Sequence, residues 1–341
     1  MAPGPSCTDP DQVRISGLDD RISLAGGKDR WAESVLTVPE TGAMMSRKGW
    51  LLFATMGLIW GIPYLLIKVA VGGLHPATLV FFRTALAALL LLPLAAARGQ
   101  LRPLLRHWRP LLAFAAIEVA VPWLLLNTAE TRLSSSLSGL LIAAVPLVGA
   151  ILGWATGGER LGPVRLAGLL VGLVGVAALV GLDLHVGDVW AVLEIIGVAI
   201  GYAVGPFILA RYLAGQPGLG VIASGLGVTA LAYLPFALTH LPARFPAVPV
   251  AGSVLILAVV CTALAFLLFF ALIAEVGPVR ATVITYINPA VAVTLGVLLL
   301  HERFTYGIAI GFALVLTGSV LATRRSREPV AAPPEPVPAP S

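Results

Sequence analysis

Glu118 is an isolated carboxyl in a long apolar run, where it could carry out proton chemistry. It lies about ten residues into the run that starts near Trp108, which for a helix crossing a bilayer is roughly 15 Å deep. An ionised group at that depth is costly, and such residues face the interior of a helix bundle, where they often relay protons or bind substrate. We therefore predict Glu118 as a proton-coupling residue. The structural alternatives are an ion pair with Arg83 and a permanently protonated carboxyl.

Other polar and aromatic side chains occur at depth in neighbouring apolar runs. Arg83 and Glu194 would lie roughly 10 Å inside and could anchor charged groups of a substrate, although structural ion pairing is the alternative. Polar atoms at depth need partners, so such residues either line a cavity or join helices by hydrogen bonds. The predicted cavity residues are Trp60, Tyr64, Arg83, Trp123, Asn127, Ser138, Glu194, Tyr202, Tyr286 and Asn288.

Five prolines within apolar runs are predicted helix hinges. Proline removes one backbone donor and leaves the carbonyl four residues earlier without its helical partner. A single proline could merely shape the bundle, but five together favour a hinged bundle that forms a cavity. They are Pro63, Pro122, Pro146, Pro206 and Pro289.

Signatures of other chemistries are absent from the sequence. It contains neither a Gly-x-x-x-x-Gly-Lys-Ser/Thr phosphate loop nor a His-Glu-x-x-His motif. Cys7 and Cys261 offer no disulfide or metal-ligand spacing. The net charge of +5 is scattered between apolar runs, which argues against binding to nucleic acid. We therefore predict no metal, no cofactor and no enzymatic activity.

These residues must be positioned by helices that cross a membrane. The chain is 58% hydrophobic and 11% charged, with a mean hydropathy of +0.95, whereas soluble proteins have about 25% charged residues. The sequence predicts an all-α integral membrane protein with ten transmembrane helices. The predicted spans begin near Trp50, Pro76, Trp108, Ser134, Gly162, Val189, Gly218, Val250, Val279 and Tyr306.

The two ends of the chain are predicted to be disordered tails. Residues 1–46 are polar, and residues 324–341 are rich in proline and alanine; a natural start at Met44 or Met45 is one possibility. Lys and Arg are concentrated in alternate short loops, which indicates that both termini are cytoplasmic. The heavy excess of arginine over lysine is typical of a bacterial protein, so we expect a plasma membrane location.

An internal repeat is the most informative pattern in the sequence. The arrangement Pro-x6-Gly-x5-Glu-Arg-x7-Gly-x6-Gly begins at Pro146 and again at Pro289, 143 residues later. The predicted repeats are residues 47–182 and 187–323, with five spans each, so the second enters the membrane from the opposite side. Inverted-repeat carriers bind their substrate near the membrane midplane between the repeats. The alternative is that duplication only builds a large stable bundle.

Charged residues at helix ends have predicted structural roles. The pairs Glu159-Arg160 and Glu302-Arg303 occupy matching places in the repeats and are predicted turn and capping elements. Lys68 and Arg211 also match, and we expect their side chains to reach the membrane interface.

Several segments resemble one known family. They are the stretch WGIPYLLIK at residues 60–68, Arg83 in the second span, and the blocks VPLVGAILGWATGGERL and NPAVAVTLGVLLLHERF. Over about residues 47–323 the chain resembles the EamA-like family of the drug/metabolite transporter superfamily. The resemblance implies ten helices in two inverted EamA repeats, a central cavity and secondary transport, often the export of amino acids, metabolites or drugs.

The leading hypothesis is a secondary active transporter that works by alternating access. It would move a small metabolite, amino acid or drug-like solute across the plasma membrane by proton-coupled export, with the solute, the lipid bilayer and protons as its partners. One alternative is a membrane enzyme that uses Glu118, Glu194 and His301 as acid and base groups on an apolar or lipid-linked substrate. Another is a nontransporting assembly or sensor protein. A polar interior would favour the carrier, and a dry, filled core would contradict it.

Overall fold

The computed structural model describes residues 45–155, 162–183, 188–277 and 281–322. Its described residues form helices and contain no strand. Seven helical segments are long and apolar enough to cross a membrane, and three further apolar helices are shorter, at Pro163–Leu179, Ile284–Leu300 and Tyr306–Ala322. The helical membrane fold is therefore confirmed, whereas the count of ten spans stays a prediction. Residues 1–44 and 323–341 and the pair Glu159-Arg160 lie outside the described residues.

The described residues contain fourteen α-helices. Two π-helical turns, Ala115–Ala120 and Val259–Leu264, and two 3₁₀ segments, Arg102–His107 and Thr282–Tyr286, lie among them. The α-helices are α1 (Arg47–Gly61), α2 (Pro63–Val71), α3 (Pro76–Ala97), α4 (Trp108–Phe114), α5 (Val121–Ala129), α6 (Ser135–Ile142), α7 (Val145–Ala155), α8 (Pro163–Asp183), α9 (Val189–Tyr212), α10 (Gly218–Thr239), α11 (Val248–Ala258), α12 (Ala265–Val276), α13 (Asn288–Leu300) and α14 (Tyr306–Ala322).

Four of the five predicted hinge prolines lie where a helix is interrupted. Pro63 begins α2, and Pro122, Pro146 and Pro289 each occupy the second residue of a helix. Proline suits the first turn of a helix, where its missing N–H would have no intrahelical partner. Pro206 differs, because it lies inside the uninterrupted helix α9.

The two π-helical turns occupy matching places in the two repeats. Ala115–Ala120 interrupts the segment between α4 and α5, and Val259–Leu264 interrupts the segment between α11 and α12, 144 residues later. Pro122 follows the first turn, but Ala265 stands at the equivalent position after the second. Proline is therefore not required for the second π turn. Such turns insert an extra residue into the helix and often mark functional sites.

Glycines allow α8 and α14 to pack backbone against backbone. A Cβ atom at Gly318 would collide with the backbone of Gly172, and one at Gly168 would collide with the backbone of Ala322. Small residues permit this close approach in membranes, where packing rather than hydrophobic burial holds helices together. The contact joins the last helices of the two repeats.

We predict that Gly318→Ala lowers the midpoint of thermal unfolding, because the added methyl group overpacks the contact between α8 and α14 by about 1–3 kcal/mol. Thermal unfolding of the detergent-purified protein measures this effect. Gly252→Ala in α11 is the matched control, since a Cβ atom there meets nothing within 4 Å. Equal loss of stability in both variants would contradict the proposed packing.

Candidate functional site

Arg83 is a buried cation held by both repeats. Its side chain on α3 is 6% exposed. Its Nε donates a hydrogen bond of 3.0 Å to the hydroxyl of Thr262 in the second π turn, and its guanidinium carbon lies 3.7 Å from the centroid of the Trp123 ring on α5. The Thr262 hydroxyl donates in turn to the carbonyl of Leu257 at 2.8 Å, which aims its lone pair at Arg83. Stacking and hydrogen bonding together fix the plane of the guanidinium.

Two tyrosines complete the surroundings of Arg83. Tyr64 on α2 and Tyr202 on α9 both interact electrostatically with Arg83, and the indole of Trp123 faces the hydroxyl of Tyr202. We call Tyr64, Arg83, Trp123, Tyr202 and Thr262 the central cluster. The terminal nitrogens of Arg83 have no hydrogen-bond partner in the described part of the chain. A guanidinium fork of this kind is suited to binding a carboxylate or phosphate through two parallel hydrogen bonds.

Glu118 lies in the first π turn, beside the central cluster. Its carboxyl packs on Gly205 of α9, where a Cβ atom would collide with Oε2. Oε2 is buried and accepts no hydrogen bond from a described residue. Tyr202 is its electrostatic neighbour in the central cluster. The ion pairs among the described residues do not include one between Glu118 and Arg83.

Two of the predicted cavity residues satisfy backbone carbonyls. The Asn127 amide donates to the carbonyl of Pro76 at 3.2 Å. The Asn288 amide, in the orientation that suits its neighbours, donates to the carbonyls of Ile284 at 3.0 Å and Gly57 at 3.2 Å. These hydrogen bonds connect helices, which is the alternative to a role in lining a cavity.

Three other predicted cavity residues have no polar or ring contact with Arg83 in the described part of the chain. Trp60 packs on aromatic rings of α12, including Phe269 at a centroid distance of 4.8 Å. Tyr286 donates to the carbonyl of Ser319 at 3.4 Å. Ser138 on α6 is fully buried, and its hydroxyl has no partner among the described residues.

Glu194 is distant from Glu118. It forms a 2.7 Å ion pair with Arg132, and it precedes Gly205 by 11 residues on α9, which is about 16 Å of helix. His301 ends α13 in a left-handed conformation with φ of 55°. No group of three or more His, Cys, Asp or Glu residues that could hold a metal occurs in the described ranges. Glu118 and Glu194, two of the three residues of the enzyme alternative, lie at different levels along α9.

A second buried polar cluster was missed by the sequence reasoning. The carboxylate of Glu302 accepts hydrogen bonds from the backbone N–H groups of Ser135 at 2.7 Å and Ser136 at 3.0 Å, and from the Ser136 hydroxyl. It therefore caps the N-terminus of α6, where backbone N–H groups lack helical partners. The Lys68 ammonium donates to the carbonyls of Glu130 and Leu133, both at 2.7 Å, rather than extending to the interface.

Glu130 is the least expected residue of this second cluster. It is fully buried, and neither of its carboxylate oxygens accepts a hydrogen bond from a described residue. We call Lys68, Glu130, Ser135, Ser136 and Glu302 the Glu130 cluster. Its only signal in the sequence is an acidic residue directly after an apolar run, a pattern that is equally typical of exposed loops. The described interior is thus polar at two places.

A profile of the EamA-like transporter family matches the sequence twice, over residues 47–181 and 189–324. The chain belongs to the EamA-like transporter family. It is a multi-pass membrane protein, and its family indicates a transporter of a small-molecule solute in a lipid bilayer. The two matches agree with the presence of two repeats.

Relatives from bacteria and archaea carry transporter names. The chain is 24% identical to "Uncharacterized transporter YvbV" of Bacillus subtilis, over 83% of this chain and 93% of the relative. It is 26% identical to "Probable terminal-alkyne amino-acid exporter" of Streptantibioticus cattleyicolor, over 83% and 95%. It is 25% identical to "Uncharacterized transporter" of Archaeoglobus fulgidus, over 83% and 100%. A crystal structure described only as that of a protein has a similar fold, with a TM-score of 0.60 and 23% identity over 81% of this chain and 96% of the other.

We predict that Thr262→Val lowers the midpoint of thermal unfolding, because the buried Nε of Arg83 loses its acceptor at a cost of about 1–3 kcal/mol. Thr262→Ser is the matched control, since it keeps the hydroxyl. Thermal unfolding in detergent compares the two variants. A Val variant as stable as the Ser variant would show that the hydrogen bond does not hold Arg83 in place.

Proposed function

We propose that this protein is a secondary active transporter that works by alternating access, with the central cluster as its solute site. The observation that carries the proposal is a buried guanidinium, Arg83, whose terminal nitrogens have no partner among the described residues. Helices of the first repeat and the π turn of the second both contribute to its surroundings. A site between inverted repeats can open to either side when one repeat rocks against the other.

The chemistry of the central cluster favours a solute that carries a carboxylate. Arg83 offers two terminal nitrogens, and the rings of Tyr64, Trp123 and Tyr202 offer apolar faces. An α-amino acid or a similar small metabolite presents a carboxylate together with a short side chain. The name of the Streptantibioticus relative, a probable amino-acid exporter, supports this class of solute.

Proton coupling is proposed for Glu118. Its Oε2 is buried beside Gly205 and receives no donor from the described residues. A carboxyl in that setting can gain and lose a proton as its access to water changes during the transport cycle. Since the sequence contains no phosphate-binding loop, an ion gradient is the energy source that fits the chain.

Export across a plasma membrane is the proposed direction, with both termini cytoplasmic. The short loops rich in Lys and Arg support this orientation. A cleft of about 400 Å³ lies at the end of the bundle assigned to the cytoplasm, between Arg98, Leu219 and Phe270. Phe270 follows Thr262 by eight residues in the sequence, which corresponds to about 12 Å of helix. The cleft therefore suits an entrance that leads from the cytoplasm towards the central cluster.

The solute site is tested by counterflow in proteoliposomes with a panel of amino acids and cationic drugs. We predict that an amino acid exchanges and that Arg83→Lys raises its half-saturation concentration by about 10-fold or more, because a paired hydrogen bond to a charged group is lost. Arg106→Lys is the control, since that side chain is exposed and does not line the cleft. Absence of counterflow of any compound by the folded parent would contradict the carrier, and an unchanged Arg83→Lys would contradict the site.

The coupling residue is tested by imposing a pH gradient on the same proteoliposomes. We predict that Glu118→Gln abolishes gradient-driven accumulation but retains counterflow, because exchange requires no net movement of protons. Glu275→Gln is the matched control, since Glu275 pairs with Lys48 at 3.3 Å, away from both clusters. Accumulation at the parent level by Glu118→Gln would exclude Glu118 as the coupling residue.

A further inference from the structure

Glu130 is a buried acid that the proposed solute site does not use. It follows the last residue of α5, has no exposed surface, and has two carboxylate oxygens without a hydrogen-bond donor among the described residues. A buried carboxylate costs several kcal/mol unless donors or a cation compensate it. The neutral acid is therefore the form that these surroundings suit.

The charged and titratable groups that face Glu130 come from three parts of the fold. They are Lys68 and Tyr64 on α2, Arg83 on α3, and Glu302 after α13. Burial raises the pKa of the Glu130 carboxyl; Lys68 lowers it, Glu302 raises it, and Arg83 lowers it, and burial is the largest of these effects.

The nearest cation and anion of the Glu130 cluster are already engaged elsewhere. The Lys68 ammonium donates to the backbone carbonyls of Glu130 and Leu133, and no ion pair joins it to the Glu130 carboxylate. The Glu302 carboxylate is occupied by the N-terminus of α6. Both contacts hold the short connection between α5 and α6, and they link it to α2 and to the connection that precedes α14.

We propose that Glu130 is a second proton-binding residue, which controls the closure of this end of the molecule through Lys68. A proton from water adds to one carboxylate oxygen of Glu130 and forms an O–H bond, and Lys68 then holds the carbonyls of Glu130 and Leu133. When the proton returns to water, the carboxylate attracts the Lys68 ammonium away from those carbonyls and frees the connection. This inference deepens the proposed proton-coupled carrier and assigns a gate to it.

Proton binding by Glu130 is measurable without a known solute. Because its pKa is raised in the folded protein, the folded state holds the proton at a pH where the unfolded chain has released it. The associated stability is fully present below the unfolded pKa and is lost as the pH rises through the folded pKa. His75 acts in the opposite sense: burial, and then His240, lower its pKa, so any stability linked to His75 is lost as the pH falls.

The experiment is thermal unfolding of the full chain in detergent over a pH series. Glu118→Gln is the background for all samples, so that the other buried carboxyl does not contribute. In this background we expect the midpoint of thermal unfolding to fall as the pH rises into the basic range. Adding Glu130→Gln should remove this pH dependence, whereas adding the control Glu275→Gln should leave it in place. If Glu130→Gln does not yield folded protein, Glu130→Asp decides, since it keeps the acid and should move the pH at which the fall occurs.

Each remaining outcome counts against the inference. If the unfolding midpoint still falls at basic pH in Glu130→Gln, or falls at the parent's pH in Glu130→Asp, Glu130 is excluded as the proton site. If sodium chloride, but not choline chloride, raises the midpoint at basic pH only when Glu130 is present, the site binds sodium instead of a proton. The proposed function is tested separately by counterflow. If the parent transports a solute but Glu130→Gln does not alter the pH dependence of the unfolding midpoint, the carrier proposal stands and the gate proposal is wrong.

Discussion

Inside a bilayer no water is available to backbone N–H and C=O groups, so irregular backbone is possible only where other groups of the protein supply the missing hydrogen bonds. At several interruptions in this bundle, side chains supply such hydrogen bonds. Tyr233 donates to the carbonyl of Ala120 at the end of the first π turn, and Ser319 donates to the carbonyl of Ala143 at the break between α6 and α7. Asn288 covers two further carbonyls. Several polar residues that could line a cavity therefore stabilise the bends that shape the bundle.

The repeat is preserved in the backbone but not in the chemistry. Both halves have a π turn and a break at matching places. The buried charges Arg83, Glu118 and Glu130 all belong to the first repeat, and the second repeat has apolar or neutral residues at their equivalents, which are Leu226, Cys261 and Ile273. A duplicated frame provides two similar bundles that can move against each other.

Local patterns in the sequence predict the long helices and the breaks around Pro146 and Pro289. Hydropathy and proline each affect the segment of chain in which they occur, so their effects can be seen without knowing the tertiary structure. The π turn at Val259–Leu264 has no such local signal, so Thr262 could not be recognised as the residue that orients Arg83. The burial of Glu130 depends on residues that arrive from α2 and from the connection after α13. A single sequence shows the acid but not those neighbours, and its position after an apolar run suggests a loop.

In the proposed carrier, the charged groups of the solute that bind near Arg83 and Glu118 determine whether proton and solute move in the same direction or in opposite directions. If the solute were a simple anion on Arg83, protonation of Glu118, which neighbours Tyr202 of the central cluster, would remove a competing negative charge and strengthen binding, and linkage requires that the anion strengthen proton binding equally. Proton and anion would then move together, and an inward proton gradient would drive uptake. If the solute were a zwitterion, with its carboxylate on Arg83 and its ammonium towards Glu118, the proton and the ammonium would compete for the same carboxylate. Because the proton and the zwitterion compete for one site, they are transported in opposite directions, and an inward proton gradient would drive the zwitterion outward. Among carboxylate-bearing solutes, the amino acid is therefore the class for which these buried residues are consistent with export.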